Sequence, residues 1–438
     1  MSALSRKLGQ LLAKSPVSIE LLPGDGSEWL AEDMPEESNP HAPFLLMEGN
    51  LGVPRKLAYK AYLESVPAFR RSRTVLHAYL RVTPATGPSL DLVSAEDVAD
   101  ILDSSSVLLL VNPAHQSALN ARKGLLTLGA LDATRELRFA SSLLTLHEGA
   151  KQSVLWHHRR WLLRRIYSLV SSSCGETPSR SSDIPGSLAG DGEDSLCGLG
   201  LDSDVLSTEF AIVQRACEIY PRNYHAWAHR YLCAEALATA LRGDTGPGLM
   251  DAWQQERDRI RQWIERHVSD YSAMQYACHL EDLDRGLAAS GEPITAVPAG
   301  HTQEKIPEER ESVVEHAWTL VQAYPSHKSL WLYLRGALRP QFSPAALRLG
   351  SATSDRVRDG ARALAERFLS DGSADHGGSV SPGEHALVRR HAARFLAWLS
   401  WQEGKLKLHG REGAVREIMA GGGEPRQGDA PYSFVSSV

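Results

Sequence analysis

The sequence predicts an all-α protein, a crescent-shaped right-handed solenoid of stacked helical hairpins. Three observations carry that prediction. A Trp or an apolar substitute recurs near the start of a helix-length segment, a basic residue tends to follow it three positions on, and a Pro or Gly break precedes the segment. The stretch YPRNYHAWAHRYL, residues 220–232, shows all three. Self-similar segments of this length mark repeat architectures, in which no single unit buries its apolar faces alone.

The pattern first occurs in NPAHQSALNARKGLL, where Leu119 holds the Trp place, Asn120 follows and Arg122 lies three residues on. KQSVLWHHRRWLL repeats it with Trp156, His158 and Arg159, and the opening stretch with Trp227, His229 and Arg230. VSDYSAMQYACHL is a worn copy, with Met274 and Ala277 in the Trp and Arg places. YPSHKSLWLYLRGAL carries Trp331, with its basic residue, Arg335, shifted by one.

An amphipathic segment precedes each motif. In the third copy Phe210, Val213, Ala216, Cys217 and Tyr220 fall at i, i+3, i+4 spacing and end at Pro221. The segment 313–324 likewise ends at Pro325, and 134–146 precedes Gly149 and Lys151. The unit is therefore helix A, a short break, and helix B. Proline stops helix A, and Asn223 and Ser326 are expected to cap the B helices that follow. The shared Trp or Leu is expected to pack between hairpins, and the Arg one turn further along to tie neighbouring repeats through carboxylates or helix C-terminal carbonyls.

This reading divides the chain into an N-terminal extension over 1–75 with a partly ordered segment 43–66, hairpin repeats over 76–345, capping helices over 346–408 and a disordered tail over 409–438. The Ser-, Gly-, Asp- and Pro-rich segment 171–204 reads as a disordered insertion, with similar loops around 287–308 and 370–383. A last helix is expected over 384–403, carrying Trp398 and Trp401.

The 438 residues carry a net charge of −6, which gives no global basic footprint for nucleic acid. HHRRWLLRR, 157–165, reads as a solvated or partner-facing helix surface instead. The five cysteines make no C-x-x-C pair, which points to a reducing, cytoplasmic setting without a zinc knuckle. His225 and His229 share a helix face, yet no third ligand of suitable spacing accompanies them, so no metal is expected in this chain. No apolar run is long enough to span a bilayer. The N-terminus is weakly amphipathic, with Leu4, Leu8, Leu11 and Leu12 on one face, and lacks a secretory apolar core.

NYHAWAHR, WHHRRWLL, NARK and LWLYLRG together resemble the repeats of protein prenyltransferase α subunits, over roughly residues 105–340. PFLLMEGNLGVPRKLAY, 43–59, looks like the N-terminal region of the α-subunit repeat-containing branch of that family. The resemblance implies a crescent wrapped around a partner β subunit that holds the catalytic zinc and most of the isoprenoid pocket. It implies one half of a heterodimer, most simply with a Rab-type β subunit. Such an enzyme transfers geranylgeranyl from its diphosphate to a cysteine near the C-terminus of a protein, a SNARE or small GTPase being the substrate class. It also assigns roles. Lys151, five residues before Trp156, would reach the isoprenoid diphosphate, and His225, two before Trp227, would reach the active site with Tyr224 beside it. One departure bears on substrate choice. Where farnesyltransferases follow that Lys with Asn-Tyr-Gln, this chain has Gln152, Ser153 and Val154, and Val154 cannot bind a peptide carboxylate. The alternative reading is a catalytically idle helical-repeat scaffold that binds a protein on its concave face.

Overall fold

The computed structural model describes residues 1–27, 40–82, 94–171, 194–243, 246–289, 312–342, 352–370 and 382–403. The chain forms two compact units, Met1–Ala252 and Trp253–Val438. Almost all regular structure in both is helical, and it is arranged as the hairpins the motif spacing predicts.

The first unit opens with α1 (Ala3–Ala13), capped by the Ser2 hydroxyl on the Ser5 amide. Its apolar face buries Leu8, Leu11 and Leu12. Gly9 permits close approach to the helix that carries Asp103, because a Cβ there would lie 2.6 Å from the Cβ of Asp103. Three short strands follow, β1 (Ser18–Leu22), β2 (Leu45–Met47) and β3 (Asn50–Pro54). They form a sheet in the order β1-β3-β2, with β1 parallel and β2 antiparallel to β3. The all-α expectation missed this sheet. Its hairpin turns on Glu48 and Gly49, both at positive φ, as a two-residue type I′ turn requires. The sheet is fixed to the repeats by the Ile19 amide, which donates to the Thr145 hydroxyl at 2.9 Å. Within the expected extension 1–75, where 43–66 reads as partly ordered, residues 1–27 and 40–75 hold α1, the sheet and the start of the long helix that follows.

The long helix α2 (Arg55–Val82) packs on α3 (Ala95–Val111), which pairs with α4 (Gln116–Thr127) as the first hairpin. The second is α5 (Ala133–Leu144) and α7 (Ser153–Ser171), joined by the single turn α6 (His147–Ala150). The third is α8 (Ser203–Ile219) and α9 (Tyr224–Arg242). Adjacent hairpins contact through successive A helices, α5 to α8, and successive B helices, α7 to α9. Phe210, Val213, Ala216 and Cys217 of α8 are buried, and the helix stops before Pro221. Of the segment 171–204, residues 194–204 are packed rather than loose: Leu196 and Leu201 are buried and Asp194 pairs with α7. Their apolar side chains, set among glycines, give them a core contact that composition alone hides.

The second unit begins within α10 (Leu249–Arg266) and continues through α11 (Tyr271–Ala289), α12 (Val313–Ala323), α13 (Lys328–Leu338), α14 (Ala352–Ser370) and α15 (Pro382–Gln402). α12 pairs with α13 and α14 with α15, while α13 touches both α11 and α15. Trp331 lies between Phe368 and Phe395, with ring centroids 5.8 and 5.5 Å away. The α13 cap differs from expectation. His327, not Ser326, occupies the N-cap position, and its side chain makes no capping bond. The expected loops 287–308 and 370–383 fall largely, and the tail 409–438 wholly, outside the described residues.

Candidate functional site

The recurring Arg of the B helix is a buried cation, and two copies, Arg122 and Arg159, are each met by a carboxylate from the next A helix. Arg122 of α4 donates through Nε and Nη2 to Glu136 of α5 at 2.9 and 2.6 Å. Its Nη1 reaches the Ser105 and Ser106 hydroxyls at 2.9 and 3.0 Å. Arg159 of α7 grips Glu209 of α8 through two bonds of 2.6 Å. The residue just before each following Arg completes the cluster: His158 Nε2 lies 3.0 Å from Glu136, and His229 Nε2 lies 2.9 Å from Glu209. Burial pushes both carboxyls up, but the Arg charge and the Arg and His hydrogen bonds outweigh it and hold each at about 2. Burial drives both imidazoles below their ordinary value, so each ring is neutral and donates an N–H to its carboxylate. The Arg–Glu–His clusters were only half visible in the sequence, which flagged Arg122, Arg159, His158 and His229 but neither Glu.

The other repeat residues divide plainly. Leu119, Trp156, Trp227 and Trp331 are buried. Trp156 donates from its indole to the Ala150 carbonyl at 2.8 Å, and Trp331 to the Pro325 carbonyl at 2.8 Å, six residues back in each case. Arg230 is buried with its guanidinium 5.3 Å from the Trp227 ring centre. Asn120 is exposed on α4. Arg335 meets no recurring acid; it donates to the Arg394 carbonyl of α15 at 2.5 Å, and Leu334 occupies the true Arg register.

Lys151, Tyr224 and His225 gather around one buried link. Asn223 caps α9, its side-chain oxygen accepting from the Ala226 amide at 3.1 Å. Its Nδ2 donates to the Ala150 carbonyl at 2.7 Å. The same carbonyl receives the Trp156 indole, so the corner carrying Lys151 is fastened both to α7 and to the start of α9. Lys151 sits at this corner, between α6 and α7, rather than inside the B helix. Gly149 makes the corner possible, since a Cβ there would fall 2.0 Å from the Leu143 carbonyl oxygen.

The Lys151 ammonium pairs with Glu148 at 2.6 Å and remains one-third exposed. That bond, ahead of the His147 contact, lowers the Glu148 carboxyl. Tyr224 is 69% exposed, its ring 5.4 Å from that of His225. Burial, and then the nearby Arg160 charge, lower His225 below the usual imidazole value. His229, the expected companion on the same face, turns instead to Glu209 in the core. Among the described residues no three His, Cys, Asp or Glu side chains come together to hold a metal, and no helix is long and apolar enough to cross a membrane.

Hairpins stitched by buried charges, with a polar corner at a B-helix start, define a helical-repeat protein built on a two-helix unit. Residues 206–237, the greater part of α8 and α9, match the model of the protein prenyltransferase alpha subunit repeat. The chain is 27% identical over 249 residues to protein prenyltransferase alpha subunit repeat-containing protein 1 of Danio rerio, covering 54% of this chain and 53% of that protein. The Homo sapiens protein of that name is 26% identical over 255 residues, covering 54% and 58%. Protein 1-B of Xenopus laevis is 26% identical over 263 residues, covering 54% of each. The chain thus carries the prenyltransferase α-subunit repeat and is similar to the repeat-containing branch, spanning about half the length of the curated relatives it matches.

Proposed function

We propose that the chain is the α-type half of a heterodimeric protein prenyltransferase, completed by a Rab-type β subunit. It would transfer geranylgeranyl from its diphosphate to a cysteine near the C-terminus of a protein such as a SNARE or small GTPase. The observation that carries this reading is the Asn223–Ala150 bond, which sets the Lys151 corner against the helix start bearing Tyr224 and His225. As the isoprenoid C–O bond breaks, charge gathers on the diphosphate. Ammonium, phenol and imidazole donors stabilise that charge, and the N-terminus of α9 adds to the effect. His225, with its lowered pKa, contributes a neutral N–H near pH 7. Lys151 must exchange Glu148 for the more highly charged diphosphate. The zinc and the isoprenoid pocket would come from the β subunit.

Co-expression with each prenyltransferase β subunit tests this, with transfer of labelled geranylgeranyl and farnesyl diphosphate as the readout. Pairing with one β subunit is expected, and Lys151→Ala should slow transfer roughly a hundredfold with the heterodimer intact. Unchanged turnover in that variant would remove Lys151 from the site. The second reading, an idle scaffold, draws on the Glu148 pairing of Lys151 and on the loss of the repeat Arg at Ala277. Folded protein that pairs with no β subunit would decide for it.

A further inference from the structure

α4 and α7 are neighbouring B helices, and neither contains an acidic residue. Of their cations, Arg122 and Arg159 are spent on the buried clusters. Of the rest, Lys123, Arg160 and Arg164 are partly buried, and His157 and Arg165 are exposed. Lys123 sits 5.1 Å from the Trp161 ring centre and Arg165 5.8 Å from it, so one indole is flanked by two charges from two helices. Arg165 also donates to the Leu126 carbonyl, which fixes α7 against α4. One turn away, His157, Arg160 and Arg164 converge on a single carboxylate, Asp194, at 3.1, 3.1 and 3.8 Å. Asp194 belongs to neither helix; it arrives from the packed segment before α8.

The surface therefore has a fixed aromatic platform, a concentration of positive charge in a chain of net charge −6, and one carboxylate already seated on it. Side chains that draw in a carboxylate from a distant part of the chain are suited to draw in others. Arg forks favour planar carboxylates over point charges, and Trp161, stacked on His158 and partly exposed, adds apolar area beside them. We infer that the face formed by Lys123, His157, Arg160, Trp161, Arg164 and Arg165 docks an acidic segment of a partner protein, with Asp194 occupying the position of one of its carboxylates. The inference is independent of the transferase reading, because it concerns binding and names no transfer step.

The test is fluorescence anisotropy of a labelled octaglutamate peptide against the full chain, or the heterodimer if one forms, with an octaglutamine peptide as comparison. Binding of the glutamate peptide alone is expected, and it should weaken with salt as screening shortens the reach of the charges. Arg160→Glu with Arg164→Glu should weaken it roughly tenfold or more, whereas Asp194→Asn should tighten it by removing the internal competitor. Arg138→Glu with Arg215→Glu makes the same charge change on exposed positions elsewhere in the first unit and should leave binding nearly as it was. Equal loss in that control would show a general charge effect and overturn the site. So would binding indifferent to the α7 reversals, or capture of phosphatidylserine vesicles with the same dependence in place of the peptide. Transfer assays play no part, so an inactive enzyme and an absent docking face are separate results.

Discussion

The two units solve the same packing problem with different chemistry. In the first, the B helix sends a cation into the next A helix, and the core holds Arg122–Glu136–His158 and Arg159–Glu209–His229. In the second, Ala277 and Leu334 stand in the Arg places. There the residue before each Arg place is a tyrosine: Tyr276 donates to Glu256 at 2.8 Å, and Tyr333 lies 3.1 Å from His316. The change from Arg to Ala277 accompanies a change from Glu to His316 on the following A helix. An ion pair in the core is viable only with both members, since a charge left alone there bears the full desolvation penalty. Where the cation is lost at Ala277, a histidine holds the acid place, and the Tyr333–His316 contact keeps α12 and α13 in register.

The largest expected effect breaks the first unit at its charge. Arg159→Met leaves Glu209 buried with one neutral donor, and urea unfolding should register a loss of roughly 3–5 kcal/mol. Adding Glu209→Leu should return most of it, because the orphaned carboxylate is then gone. A double variant no better than the single one would mean that the guanidinium contributes by packing alone.

Next comes acid. The Glu136 and Glu209 carboxyls are depressed from 4.5 to about 2, so their stabilisation is present above the unfolded value and is lost as pH falls towards 2. The His158 and His229 rings are depressed from 6.5, so below that value the unfolded chain takes up protons that the folded clusters exclude. Both signs agree: the first unit loses stability as pH drops from about 6.5. The urea midpoint followed between pH 7 and 4 should fall, and His158→Gln with His229→Gln should flatten its upper part. A midpoint with the same slope in that variant would contradict the assignment.

The smallest effect belongs to the second unit. Tyr333→Phe removes one hydrogen bond, to His316, and should lower stability by about 1 kcal/mol. A loss as large as that of Arg159→Met would erase the distinction between the units.

Much of this was legible because a helix repeats its own geometry. The Trp, its basic companion and the preceding Pro recur at short, fixed offsets, and those offsets located the hairpins and predicted burial of Trp156, Trp227 and Trp331. What the sequence hid was long-range pairing. Glu136 lies 14 residues from Arg122, but Glu209 lies 50 from Arg159, so no fixed offset ties an acid to its cation. Asn223 reads as a helix cap, and its second bond, to a carbonyl 73 residues away, has no local signature. The sheet escaped because its strands are too short for an alternating pattern to stand out. Arg335 misled because a neighbouring basic residue imitated the register that Leu334 holds.

The direction of the Arg–Glu clusters also sets an order of events on the ribosome. Each cation is made before the carboxylate that neutralises it. Arg122 waits 14 residues for Glu136, and Arg159 waits 50 for Glu209, which at ordinary elongation speeds is roughly 3–10 s. For most of that interval the second hairpin is complete in sequence while its arginine lacks the Glu209 carboxylate. The first hairpin therefore waits on the second for its carboxylate and the second on the third, so these buried pairs close from the N-terminal side one hairpin behind synthesis.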